Sequence, residues 1–131
     1  MPHLQFDINK KLTKNDKRLL QKNIKKIFSK IMDTKSYHIA ISIREFDKNS
    51  IFLGRVKKDE NVCLMNLDIR LGRSEKQKRK LAIQYIELFN KHLSIKKKNQ
   101  YVVITEHNGR DFNLVEGYLR NWKKKDKPLN K

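Results

Sequence analysis

Two kinds of apolar spacing alternate along this chain. In the opening stretch "MPHLQFDI", Leu4, Phe6 and Ile8 alternate with Gln5 and Asp7, the period of two that marks a half-buried strand, and Pro2 falls in phase with the apolar side. The spacing then changes. Across "LTKNDKRLLQKNIKKIFSKIMD", Leu19, Leu20, Ile24, Ile27, Phe28 and Ile31 recur at helical intervals, and Thr13 followed by Asp16 gives that helix a start signal. Alternation returns in "SYHIAISIREF", predicting a strand over 37–46. The next segment, "DKNSIFLGRVKKDE", is a polar-tipped excursion, a hairpin or a loop with a short strand at Ile51–Leu53. "NVCLMNLDIR" (61–70) is apolar on both faces at its start, as a central strand is. A second helix begins at Ser74, with Gln77 in the capping-box position and Leu81, Ala82, Tyr85, Ile86, Phe89 and Leu93 as its stripe. "QYVVITEH" (100–107) is the fourth strand.

Strand, helix and strand therefore occur twice in the same order. Right-handed crossovers close each set into a βαβ unit, which predicts an α+β fold: a four-stranded mixed sheet with both helices on one face. The other face is left uncovered and partly apolar, a feature of chains that self-associate. We expect one domain over 1–122, with unit one at 2–46, unit two at 61–107 and a C-terminal extension at 108–122, followed by a basic tail at 123–131. At 131 residues the chain is long enough for a real core. No apolar run approaches the ~18 residues of a membrane span, and Gln5, Asp7 and Asn9 interrupt the first strand where a signal peptide would be apolar. The one cysteine, Cys63, excludes an internal disulfide framework and suits a reducing compartment. The expected location is the cytoplasm. A net charge of +18 invites polyanions. The cations are spread, however, with runs only at 96–98 and 123–127, so they read as a solvated surface that attracts small anions.

Three stretches carry candidate chemistry. Met before proline is commonly removed, which would leave Pro2 with a secondary amine able to act as a general acid or base; alternatively, proline simply opens a strand where its missing N–H costs nothing. In "DIRLGRSEKQ", Arg70 ends a strand, Gly72 allows a tight turn, Arg73 follows and Ser74 caps a helix. Two guanidiniums at a helix N-terminus could hold a carboxylate bidentately, or could pair with Asp68 or Glu75. "TEHNGRDFNLVEGYL" gathers Glu106, His107, Arg110, Asp111 and Glu116, where Glu106 or Glu116 could activate water. His3, His38, His92 and Cys63 show no metal-ligand spacing, and neither a Gly-rich phosphate loop nor a nucleophile elbow is present.

Pro2 opening a strand, the doubled βαβ pattern and the "GRS" helix start together resemble the tautomerase superfamily. That group includes 4-oxalocrotonate tautomerase, 5-carboxymethyl-2-hydroxymuconate isomerase, macrophage migration inhibitory factor, malonate semialdehyde decarboxylase and cis-3-chloroacrylic acid dehalogenase. "MPH" is similar to the carboxymethyl-hydroxymuconate isomerases, and "SIFLGRVKKDENVCLMNLDIRLGRSEKQKRKLA" most resembles the dehalogenase branch. The resemblance implies Pro2 as acid/base, Arg70 and Arg73 as the carboxylate-binding pair, and Glu116, in "LVEGYL", as a water-activating glutamate. Arg44 is similar in place to an arginine of the isomerase branch. It further implies a homotrimer, a small carboxylic acid as substrate and no cofactor; the lack of a long apolar run and the spread of the cations leave neither membrane nor nucleic acid as an expected partner. Two departures weigh against dehalogenation: residues 28–30 read Phe-Ser-Lys where that branch has a histidine, and its last-strand tyrosine falls near Ile104. The expected activity is thus tautomerisation of a 2-hydroxy-dienoate or enolpyruvate-like acid. The alternatives are a dehalogenase, hydratase or decarboxylase of a three-carbon acid, or a non-enzymatic basic protein that binds RNA or an acidic partner.

Overall fold

Both helices start where a side chain replaces the missing turn. The Thr13 hydroxyl accepts from the Asp16 N–H at 3.0 Å while the Asp16 carboxylate accepts from the Thr13 N–H at 3.0 Å. Ser74 and Gln77 repeat the arrangement at 3.1 and 3.0 Å. These reciprocal bonds satisfy donors that the first turn otherwise leaves open. Helix α1 runs Lys14–Met32 and α2 runs Glu75–Leu93, each ending on a left-handed residue, Asp33 (φ 52°) and Ser94 (φ 56°). The computed structural model describes residues 2–115 and 117–118.

The strands are β1 (His3–Ile8), β2 (Ala40–Glu45), β3 (Cys63–Arg70) and β4 (Gln100–His107). They lie in the order β2-β1-β3-β4, with β1 parallel to β2, β3 parallel to β4, and the two units joined antiparallel through β1 and β3. The four-stranded mixed sheet expected from the pattern is thus the one observed, and β3 is central as its doubly apolar start predicted. Register sorts the faces. Leu4 is level with Ile41 and Leu67, and Phe6 with Ile43 and Met65. These side chains pack with Leu20, Ile24, Phe28, Tyr85 and Phe89 in one core under both helices. Phe6 lies at its middle, stacked on Phe89 at 5.2 Å and edge-on to Tyr85 at 5.5 Å. The buried Tyr85 hydroxyl donates to the Ile24 carbonyl at 3.0 Å, tying α2 to α1.

The opposite face carries no helix. His3, Gln5, Asp7, Ser42, Arg44, Asn66, Asp68 and Thr105 occupy most of it, with Leu64, Tyr101 and Val103 as its apolar part.

Several boundaries differ from the pattern. Leu19 is exposed and Met32 is buried in its stead, because the α1 stripe sits one position further round. In α2, Leu88 is buried and Ile86 only partly so. The second strand begins at Ala40 rather than 37, since Ile39 N–H closes a turn onto the Ser36 carbonyl at 3.1 Å. Ile51–Leu53 forms no strand; residues 47–60 are a succession of turns, with Asp47 accepting from Asn49 and Ser50. After β4 come a 3₁₀ turn at Gly109–Asp111 and a two-residue hairpin, β5 (Asn113–Leu114) with β6 (Gly117–Tyr118). Glu116 and the tail at 123–131 lie outside the described residues. Among the described residues no helix is long and apolar enough to cross a membrane.

Candidate active site

The direction of the strands decides what meets at each end of the sheet. The starts of β1 and β2 share one end with the finishes of β3 and β4. Helix α1, returning from the far end of β1, brings its C-terminus there, and α2 departs from it. Pro2 stands at this end, buried, immediately before β1, and its carbonyl accepts the Ala40 N–H at 3.0 Å. Arg70 closes β3 at the same end and is buried, level with His107 on β4. Gly72, at φ 115°, then turns the chain through a conformation that a side chain resists. The turn is anchored by Leu71 N–H on the His107 carbonyl at 2.9 Å.

Arg73 follows, half-buried, one residue before the Ser74 cap. Burial pulls its pKa below the ordinary guanidinium value, and the Asp33 carboxylate at the end of α1 pulls the other way. Gln77 fixes this corner. Its side-chain oxygen accepts from the Ser74 N–H, while its amide nitrogen donates at 3.0 Å to the carbonyl of Ile31 in the last turn of α1. One side chain therefore locks the C-terminus of α1 to the N-terminus of α2. The structure brings Pro2, Arg70 and Arg73 to one end of one sheet, as three elements converge there.

The other expected site residues are placed differently. Arg44 donates to both oxygens of Asp7, at 2.8 and 3.0 Å, and its guanidinium lies 5.5 Å from the Phe46 ring centre. The hydrogen bonds it donates to Asp7 raise its pKa. Asp7 is five residues along β1 from Pro2, roughly 17 Å at the rise of an extended strand, so one chain does not bring Arg44 to Pro2. Glu106 lies on the helix side and binds Lys78 at 3.1 Å, which raises the lysine's pKa; its carboxylate is already engaged. Glu116 lies outside the described residues.

One pair was not anticipated. On the uncovered face, His107 Nε2 lies 2.8 Å from Asp68 Oδ1, with Phe112 edge-on to the imidazole at 5.5 Å. Asp68 is level with His3, whose ring lies 3.0 Å from the Ser42 hydroxyl. Alternation in "QYVVITEH" places His107 on the Tyr101/Val103 face, but the sequence does not give the β3–β4 register that sets Asp68 beside it. Among the described residues no group of three or more His, Cys, Asp or Glu side chains could hold a metal ion.

No family model matches the sequence, and no curated protein matches it. Solved structures do match the fold. A fused 4-OT, a wild-type symmetric trimer, superposes with a TM-score of 0.78 at 17% identity, covering 88% of this chain and 93% of that one. A macrophage migration inhibitory factor-like protein from Entamoeba histolytica gives 0.73 at 17% identity, covering 89% and 97%. A member of the cis-3-chloroacrylic acid dehalogenase family gives 0.76 at 15%, covering 88% and 82%. The fold that the doubled βαβ pattern predicted therefore holds in three dimensions, and it is the fold shared by these tautomerase-superfamily structures.

Proposed function

We propose that the protein is a cofactor-independent tautomerase of the cytoplasm. After removal of Met1, the amine of Pro2 serves as general acid/base on a small 2-hydroxy-dienoate or enolpyruvate-like carboxylic acid. The observation that carries this reading is the convergence of buried Pro2, buried Arg70 and half-buried Arg73 on one sheet end, in a fold shared with 4-OT. Arg70 and Arg73 clamp the substrate carboxylate at the positive end of the α2 dipole. Pro2 nitrogen takes the enol proton and returns it to carbon, giving the keto acid. Fixed guanidiniums stabilise charge as it moves, without solvent having to reorganise. The catalytic assembly is a homotrimer of domains spanning 1–122, with the tail at 123–131 outside the chemistry. In that assembly Arg44 of a neighbouring copy supplies a further cation.

A second reading is favoured by the order Arg70-x-x-Arg73-Ser74 together with a fold neighbour in the cis-3-chloroacrylic acid dehalogenase family. Here Glu116 activates water for addition to a three-carbon acid.

Ketonisation of 2-hydroxymuconate and phenylenolpyruvate by the wild type and by Pro2→Ala tests the first reading, with intact mass reporting whether Met1 is gone. Turnover that collapses in Pro2→Ala is the expected result. Equal rates, or retention of Met1 by an active protein, would overturn it. Halide release from a 3-haloacrylate in place of ketonisation would select the second.

A further inference from the structure

We infer that His107, oriented by Asp68, is a second catalytic residue of this site: it takes the 2-hydroxyl proton of the bound acid while Pro2 delivers a proton to carbon. The inference rests on the tautomerase reading and refines it: Pro2 remains the group that delivers a proton to carbon, but it does so as the ammonium, and removal of the hydroxyl proton passes from Pro2 to His107.

Four observations place His107 there. It is the last residue of β4, at the sheet end that holds Pro2. It is level with Arg70 on the adjacent parallel strand, so the two side chains leave the same face as neighbours. From Pro2 it is two strands away, about 10 Å at the usual interstrand spacing, a gap that a bound six-carbon acid and the imidazole arm together span. The side chain is 32% exposed, so the ring is accessible.

Orientation follows from chemistry. A carboxylate only accepts, so the 2.8 Å contact with Asp68 requires the proton on Nε2. The lone pair is then on Nδ1, which leaves that nitrogen as the one able to accept a proton. Phe112, edge-on at 5.5 Å, limits rotation of the ring. A histidine that merely filled space on a strand would need none of these constraints.

Substrate geometry then divides the labour. With the carboxylate on Arg70, the 2-hydroxyl is the next oxygen along the molecule, closest to the neighbour of Arg70. Its O–H bond breaks onto Nδ1 and the C–O bond becomes a carbonyl. The displaced π electrons form the new C–H bond with the proton of the Pro2 ammonium. Pro2 finishes neutral and His107 cationic. One proton passes to solvent from Nδ1 and one returns to Pro2, which closes the balance with no further reactant.

The test compares wild type, Pro2→Ala, His107→Gln, Asp68→Asn and His107→Ala on 2-hydroxymuconate. Glutamine can donate to Asp68 from its amide nitrogen but has no basic lone pair, so it separates a structural role from a chemical one. Expected are a kcat roughly 100-fold lower in His107→Gln with KM little changed, a loss on the order of 10-fold in Asp68→Asn, and partial recovery of His107→Ala on adding imidazole. A His107→Gln kcat within twofold of wild type, or a loss carried by KM alone, while Pro2→Ala is dead, overturns the role of His107 and leaves the tautomerase reading standing. Wild-type turnover that does not depend on Pro2 overturns both.

Discussion

Arg73 and Phe6 show how differently single residues are constrained here. Phe6 is buried on every side, stacked on Phe89 and edge-on to Tyr85, and its neighbours on β2 and β3 leave little room to collapse around a void. Phe6→Ala should therefore cost about 3–5 kcal/mol, the range for emptying a large core site, as read by chemical denaturation. Tyr85→Phe removes only the hydroxyl that donates to Ile24 and should cost about 1 kcal/mol. Arg73, at the edge of the core, is held by geometry and charge. If it clamps substrate, Arg73→Ala should lower kcat/KM by roughly 2–4 kcal/mol, the scale of one lost electrostatic donor. Arg73→Lys should recover little of that, because an ammonium cannot present a planar fork to a carboxylate. A loss below twofold in Arg73→Ala removes this residue from the site.

The elements are joined by a few side chains acting at their ends. Gln77 closes the α2 capping box and also binds the Ile31 carbonyl of α1, so Gln77→Ala breaks a cap and a helix-to-helix tie together. A loss of about 1–2 kcal/mol is expected from thermal or denaturant melts, with the wild-type fold kept. Glu45 does a similar job at the other end of the sheet, accepting the Leu12 N–H at 2.6 Å and pairing with Lys17 at 3.2 Å. These contacts, the Leu12 N–H foremost, hold its pKa below the ordinary glutamate value. A carboxyl depressed on folding stabilises the protein above its unfolded pKa of about 4.3, and that contribution is lost as pH falls through the folded value. The melting temperature of Glu45→Gln should accordingly fall less steeply than that of wild type below pH ~4.3; parallel curves would remove Glu45 from the acid response. Caps of this kind are local signals, which is why Thr13/Asp16 and Ser74/Gln77 were legible three residues apart. The four-stranded sheet with both helices on one face follows from the doubled pattern and the right-handed crossover. Register does not, because it depends on contacts between residues far apart in sequence. For that reason Asp68 beside His107, and Arg44 committed to Asp7, emerged only in three dimensions. Leu19 departs from the pattern for a smaller reason: two adjacent leucines both satisfy a helical stripe, and packing buries Leu20.

At the scale of the molecule, charge and shape point the same way. The outer side of α1 carries Lys14, Lys17, Arg18, Lys22, Lys25, Lys26 and Lys30 against one acidic residue, Asp16. On the uncovered sheet face, Asp7 and Asp68 offset Arg44 and Arg70. Copies that met through their helices would set these cations against one another at close range, in a chain whose net charge is +18. Copies that met through their sheets would keep those cations apart and cover Tyr101 and Val103, which are 55% and 37% exposed in the single chain. Sedimentation at neutral pH should therefore give a mass three times that of the 15.8 kDa chain. Added salt should strengthen the assembly by screening what repulsion remains. Val103→Glu, which places a charge on the apolar part of that face, should shift the mass to the monomer. If the site is completed by neighbouring copies, ketonisation should fall in the same concentration range as the trimer dissociates. Full activity from a Val103→Glu monomer would place the whole site within one chain and leave Arg44 with no role beyond its pair with Asp7.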